Sequence, residues 1–201
     1  MTMQYLRSFL PWIVVSLLIG SIDVRYALLA GLVAAVALIA YQRGQGRAWD
    51  AQVVEISAAL FFAVATTVAF AASGSAFVEH YASAGSSLWL ALTAWGSLAI
   101  GRPFTLGIAR TTVPAEFWNN PLFLRVNKVI TAVWAASFTI TGVGSALLHH
   151  YQPDNGGART ALTIAGIVIP ILFTVRYPAI ARARHLTAVQ QGGAASQEGA
   201  K

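Results

Sequence analysis

Long apolar segments with almost no charged residues recur along this 201-residue chain. The clearest are 53–72, 129–148 and 161–175, and a helix needs about 20 residues, roughly 17 to 25, to cross a bilayer. Charged residues make up only 10% of the chain and apolar residues 57%, which leaves too few charges to cover a soluble protein of this size. Because lipid offers no hydrogen bonds to the backbone, these segments predict membrane-spanning helices.

The spacing of the apolar segments predicts an all-α polytopic membrane protein, a bundle of about six transmembrane helices. The predicted spans are 8–22, 26–41, 53–72, 86–100, 126–148 and 159–177. The first, second and fourth are near or below the usual minimum length, and a re-entrant hairpin is the alternative for the first two. We expect residues 1–187 to form one transmembrane domain. The Gly-, Ala-, Ser- and Gln-rich residues 188–201 should form a disordered cytoplasmic tail.

The distribution of Lys and Arg predicts the orientation of the bundle. With the N-terminus in the cytoplasm, the predicted outer loops contain only Arg25 and Arg159, and every other Lys and Arg lies on the inner side. This bias predicts a multi-pass protein with both termini cytoplasmic. The net charge of +6 is therefore interpreted as a topology signal and a source of headgroup contacts, not as a nucleic-acid surface.

The segment between the fourth and fifth predicted spans carries the candidate site. Gly101 and Pro103 should end or kink the fourth helix, and the residues after them are too apolar for a solvated loop. They predict an interfacial segment along the membrane face, with aromatic groups at headgroup depth. The residues that could bind an anionic lipid, an anionic substrate or a partner protein are Arg102, Arg110, Glu116, Trp118, Asn119, Arg125, Asn127 and Lys128. The alternative is a connector that only obeys the positive-inside rule.

Other side chains give weaker indications. Glu55 lies two residues inside the third predicted span, and we expect it to be close enough to the inner interface to be hydrated. The chain has no Cys, and its four His residues fall in loops, at a span end or in the tail, so we predict no metal site and no cofactor. We find no phosphate-binding, zinc-protease or esterase motif in the sequence, which predicts a protein that is not an enzyme. Small residues such as Gly142 and Gly144 predict close helix packing.

Short sequence features spread over most of the region from Tyr5 to Arg184 form a further pattern. They are Phe9-Leu10-Pro11, Asp23, Tyr26-Ala27, Arg102-Pro103, Trp134-Ala135, Phe138 and Phe173-Thr174. This pattern resembles the intracellular septation protein A family of bacterial inner-membrane proteins, although Thr131 stands where that family tends to have Asn. The resemblance implies a protein of the bacterial cell envelope, located in the inner (plasma) membrane and linked to septation or envelope maintenance, without known catalysis.

The leading hypothesis is a non-enzymatic integral inner-membrane protein that acts through protein partners or lipids. The expected partners are anionic headgroups on the cytoplasmic face and other membrane proteins or copies of the same chain, and no nucleic acid. A small membrane transporter or channel, or an accessory subunit of a larger membrane complex, remains an alternative. A transporter would need a polar cavity that reaches the middle of the membrane.

Overall fold

The architecture is that of a helical bundle. A computed structural model describes the backbone of residues 7–19, 21–72 and 76–198, and the side chains there except those of 50, 76–80, 189 and 192–198. Within these residues the helices are α1 (Leu10–Leu18), α2 (Val24–Gly44), α3 (Val53–Ala71), α4 (Ala76–Ala99), α5 (Phe104–Arg110), α6 (Pro121–Tyr151) and α7 (Gly156–Glu198). Two short 3₁₀ turns, Trp49–Gln52 and Ala115–Phe117, precede α3 and α6. The all-α prediction is confirmed for the described part of the chain.

Four described helices are long and apolar enough to cross a membrane, which fits an integral membrane protein. They are α2, α3, α6 and the Gly156–Ala188 part of α7, and they correspond to the second, third, fifth and sixth predicted spans. Helix α1 has only 9 residues and is therefore about 14 Å long, roughly half the thickness of the hydrocarbon layer. Helix α4 is 24 residues long but is not among the four. Four of the six predicted spans thus correspond to helices that are long and apolar enough to cross a membrane, and the other two stay predictions.

Aromatic side chains join the two halves of the bundle through α1. The ring of Trp12 lies 4.6 Å from that of Phe62 on α3. Phe9, just before α1, stacks on Trp134 of α6 with ring centroids 5.0 Å apart. Phe62 and Trp134 are both buried. Because α2 packs mainly on α3, and α6 on α4 and α7, the short helix α1 lies between the two groups.

A helix-ending motif at Gly101 determines how the chain leaves α4. Gly101 has a positive φ of 71°, its N–H donates to Leu98 O, and the N–H of Arg102 donates to Ser97 O. This pair of hydrogen bonds is the Schellman pattern, in which the left-handed residue is usually Gly. The buried Pro103 follows and cannot continue the helix. The prediction that this step ends the fourth helix is confirmed.

Helix α5 is buried inside the bundle, where the sequence predicts an interfacial segment along the membrane face. Every residue from Phe104 to Ala109 is buried, and the Thr105 hydroxyl donates to the backbone oxygen of Asn127 over 3.0 Å and lies 2.7 Å from the Thr131 hydroxyl. The expectation is therefore wrong for residues 104–109. A short helix that is apolar all round finds more contacts in the bundle than at a headgroup layer. The exposed part of the connector begins at Thr111.

Two prolines lie inside α7 and remove backbone donors. Pro170 leaves the carbonyl of Gly166, four residues earlier, without its helical N–H donor. The Ser137 hydroxyl of α6 donates to that carbonyl over 2.8 Å. Pro178 has the same effect on the carbonyl of Thr174. The helix continues through Glu198, so residues 188–198, for which the sequence predicts a disordered tail, are helical here.

Candidate functional site

Five of the eight predicted site residues have exposed side chains. Arg102 follows α4, Glu116 lies in the second 3₁₀ turn, and Asn119 precedes the start of α6. Arg125 and Lys128 lie in the first turns of α6, three residues apart and therefore close to one face of the helix. These side chains are free of the bundle core and can meet lipid headgroups or a partner.

Arg110 and Trp118 come together at the connector between α5 and α6. The guanidinium carbon of Arg110 lies 5.2 Å from the centroid of the Trp118 ring, within the distance of a cation–π contact. The Trp118 Nε1 donates to the carbonyl of Val113 over 2.8 Å. The indole therefore bonds back to the connector through its N–H, and its ring contacts the guanidinium of Arg110. The sequence predicts both residues for the site, and the structure adds their contact.

Asn127 is the buried member of the predicted set. Its Nδ2 donates to the Phe123 carbonyl over 2.9 Å, and its own backbone oxygen accepts from Thr105. Among the residues that the structure describes, no donor reaches its Oδ1. A buried acceptor without a donor carries a desolvation cost of about 1–3 kcal/mol, so Oδ1 is a ready partner for a hydrogen-bond donor that enters from outside.

A cavity of about 450 Å³ lies between the end of α5, the connector, the start of α6 and α7. We call it the α5–α7 cavity. Its walls are mainly apolar. Four of its polar or charged lining residues are Asn120, Asn127, Thr174 and Arg182. Apolar walls with a few polar groups, at a volume of about 300–1,000 Å³, are typical of ligand sites. Of the predicted site residues, Asn127 lines the cavity.

The start of α6 is fixed by a local cap, which positions the cavity wall. The side-chain oxygen of Asn120 accepts from the N–H of Leu122 over 2.8 Å and of Phe123 over 3.4 Å, and Pro121 occupies the first turn. An Asn cap followed by Pro is a favoured helix start because it satisfies free N–H groups and needs none from Pro. The cap places Phe123 and Asn127, one turn apart, on the cavity side.

A stripe on α7 contributes the side of the cavity that the sequence reasoning missed. Thr174, Pro178 and Arg182 are spaced four residues apart, share one helix face and all line the cavity. Among the described lining residues Arg182 is the one that carries a formal charge, and its side chain is exposed. The spacing of this stripe is visible in the sequence, but only the packing of α7 against α6 shows which cavity it meets.

Glu55 lies in a different place from the one we expected. The sequence predicts a hydrated carboxylate near the interface, whereas the structure buries Glu55 completely. Its Oε1 accepts from Ser8 Oγ over 2.7 Å and from Gln42 Nε2 over 2.8 Å. The expectation is wrong because Ser8 and Gln42, which enclose Glu55, come from parts of the chain 47 and 13 residues away.

Comparison of the chain with protein-family models, curated proteins and solved structures finds no match. The resemblance to the septation protein A family therefore stays a prediction from the sequence.

Proposed function

We propose that the protein is a non-enzymatic integral membrane protein that binds one anionic lipid in the α5–α7 cavity. The observation that carries the proposal is an apolar cavity with a cation at its rim. The apolar lining suits an acyl chain, and the exposed guanidinium of Arg182 suits a phosphate group. The unpaired Oδ1 of Asn127 adds an acceptor for a headgroup hydroxyl or ammonium.

The exposed basic residues support the same occupant. Arg125 and Lys128 project from the first turns of α6, which also form one wall of the cavity. Each basic side chain near an anionic headgroup layer contributes about 1 kcal/mol of attraction. The α5–α7 cavity and the basic residues Arg125 and Lys128 thus lie at the same end of α6, as binding of an anionic lipid requires.

The location that we propose is the bacterial inner membrane, with both termini in the cytoplasm. The positive-inside rule supports it, because the basic residues near the start of α6 and around Arg182 of α7 lie at the cavity end of the bundle. The resemblance to the septation protein A family supports a role in septation or envelope maintenance, through protein partners that dock on the basic face or through a second copy of the chain.

Lipid binding is tested by native mass spectrometry of detergent-solubilised protein with phosphatidylglycerol and phosphatidylcholine in competition. Arg182→Gln should weaken phosphatidylglycerol binding about fivefold, since it removes about 1 kcal/mol of attraction. Arg184→Gln is the matched control, because Arg184 is an exposed arginine of the same helix that does not line the cavity. Equal retention of phosphatidylglycerol by both variants and the wild type would refute the proposal.

A second candidate function, a small transporter or channel, is favoured by a cavity of about 430 Å³ between α1, α4, α6 and α7 that has many polar side chains among its apolar lining residues. Its lining contains hydroxyl groups from every one of these helices, among them Ser16, Ser87, Ser145 and Thr163. Within the described part of the chain, two further lining groups, the Trp12 Nε1 and the Thr141 hydroxyl, are buried and have no partner. Such groups are ready to bind a small polar solute.

Glycerol entry into proteoliposomes tests this second candidate. A conducting protein should accelerate entry, and Ser145→Leu should slow it by placing a branched apolar side chain in the cavity. Thr67→Leu, an exposed hydroxyl of α3 outside the cavity, is the control. Entry no faster than in empty liposomes would reject the transporter.

A further inference from the structure

The buried carboxylate of Glu55 is the centre of a polar cluster that the proposed function does not use. The cluster consists of Ser8, Gln42, Gln52 and Glu55, which are 1%, 3%, 0% and 0% exposed. Ser8 and Gln42 both donate to Glu55 Oε1. Gln52 is the N-cap residue of α3, three positions before Glu55, and its side chain is likewise buried. An ionisable group inside a membrane-spanning helix is costly and usually functional.

Three oxygen atoms of this cluster accept no hydrogen bond from any described residue: Glu55 Oε2, Gln42 Oε1 and Gln52 Oε1. The orientation of the two amides follows from their donors. Gln42 Nε2 meets the Glu55 carboxylate, and Gln52 Nε2 meets the carbonyl of Arg47 over 3.5 Å. Turning either amide would set oxygen against oxygen. The unsatisfied atoms are therefore all acceptors, and the cluster is short of positive charge or of donors.

The carboxylate also forms no ion pair with a described side chain. Among the described side chains, none of Lys, Arg or His comes within 4.0 Å of Glu55, since the ion pair between Asp23 and Arg25 is the only one found there. The two groups that donate to Glu55 are neutral. An ionised carboxylate in a medium of low dielectric constant needs one positive charge beside it.

We propose that the Glu55 cluster is a binding site for one sodium ion. A hard monovalent cation takes oxygen ligands, and here a carboxylate and two amide oxygens are at hand. One sodium ion would neutralise the single carboxylate and take the three unsatisfied oxygens as ligands. Protonation of Glu55 would turn Oε2 into a donor for one amide oxygen at most and leave the other without a partner. A calcium ion usually takes more than one carboxylate, and the cluster has one.

A third cavity borders the cluster on the side of Gln42. A space of about 270 Å³ at the end of α2 is lined by Gln42, Tyr41, Gln45, Arg7 and Arg47. Gln42 thus borders the cavity and also contacts Glu55. The two arginines on the cavity wall repel a cation, so we expect weak binding that needs sodium at millimolar concentrations. The inference is independent of the lipid cavity.

Thermal unfolding of the purified full-length protein in sodium chloride and in choline chloride at equal ionic strength tests the site. At a sodium concentration ten times the Kd, the wild type should unfold about 3–6 °C higher than in choline. Glu55→Gln should unfold at the same temperature in both salts, and above the wild type in choline. The reason is that the new amide places N–H donors where the cation would sit. In equilibrium dialysis the wild type should bind sodium-22 and the variant should not.

Two further variants keep the outcome decisive. Asp23→Asn changes an exposed carboxylate and should keep the full sodium response. Gln52→Met removes one unpaired oxygen at similar volume and should reduce the response, which provides a second test if Glu55→Gln fails to fold. A wild type with equal unfolding temperatures in both salts, or a Glu55→Gln variant that still responds to sodium, overturns the proposal.

Discussion

Replacing Gly142 by Ala should destabilise the contact between α4 and α6. An added Cβ at Gly142 would lie 2.7 Å from Leu88 Cγ and 3.0 Å from the Leu88 backbone nitrogen, so α4 itself would have to shift. Overpacking of this kind costs about 1–3 kcal/mol, and the exchange of Gly for Ala inside a helix returns about 0.5–1 kcal/mol. The free energy of unfolding should therefore fall by about 1 kcal/mol.

Two other glycines provide graded controls for this prediction. At Gly144 an added Cβ would lie 2.7 Å from Leu162 Cδ2, the far end of a flexible side chain that can turn away, so Gly144→Ala should change the stability little. At Gly96 the added Cβ meets no atom within 4 Å, so Gly96→Ala should gain about 0.5–1 kcal/mol. Unfolding by sodium dodecyl sulfate in mixed micelles, followed by circular dichroism, measures the series. Equal stability of Gly142→Ala and Gly96→Ala would refute the packing argument.

Two further predictions concern single side-chain contacts. The side-chain and backbone donors of Arg25 lower the pKa of Asp23 from 3.8 to about 2. The ionised carboxylate therefore stabilises the folded state fully at a pH above 3.8. This contribution is lost as the pH falls from 3.8 to about 2. The difference in unfolding midpoint between wild type and Asp23→Asn, which keeps the helix cap, should shrink over this interval, and a constant difference would contradict the assignment. Trp134 Nε1 donates to the Thr174 hydroxyl over 3.0 Å. A double-mutant cycle of Trp134→Phe and Thr174→Val should show a coupling of about 0.5–1.5 kcal/mol, and additive effects would count against the bond.

The four helices that are long and apolar enough to cross a membrane could be predicted from the sequence, because length and freedom from charge are local properties. The helices α2, α3, α6 and the apolar part of α7 correspond to predicted spans, and the stop at Gly101 follows from its neighbours along the chain. The short length of α1 could not be predicted in this way, since the apolar residues continue to Ile22 although the helix ends at Leu18.

The burial of α5 and of Glu55 depends on contacts between distant parts of the chain. Phe104 and its apolar neighbours suit a headgroup layer as well as a bundle interior, and Thr105 decides between them by bonding to α6. Glu55 looked accessible because it lies near a span end, but Ser8 and Gln42 enclose it. Of the candidate site, the basic connector was predictable from composition. The contribution of Arg182 was not, because it requires the position of α7.

The Ser137 hydroxyl that occupies the Gly166 carbonyl limits how α7 can slide. If α7 slid along α6 by one residue, the Gly166 carbonyl would lose its bond to Ser137, and Pro170 has already removed its helical donor. This stretch of α7 is therefore held in register with α6. Beyond Pro178 the side chains around Arg182 are exposed, so this part of α7 is held less tightly than the stretch at Gly166. The guanidinium of Arg182 at the cavity rim thus lies on the segment that follows Pro178, a residue of the same cavity wall.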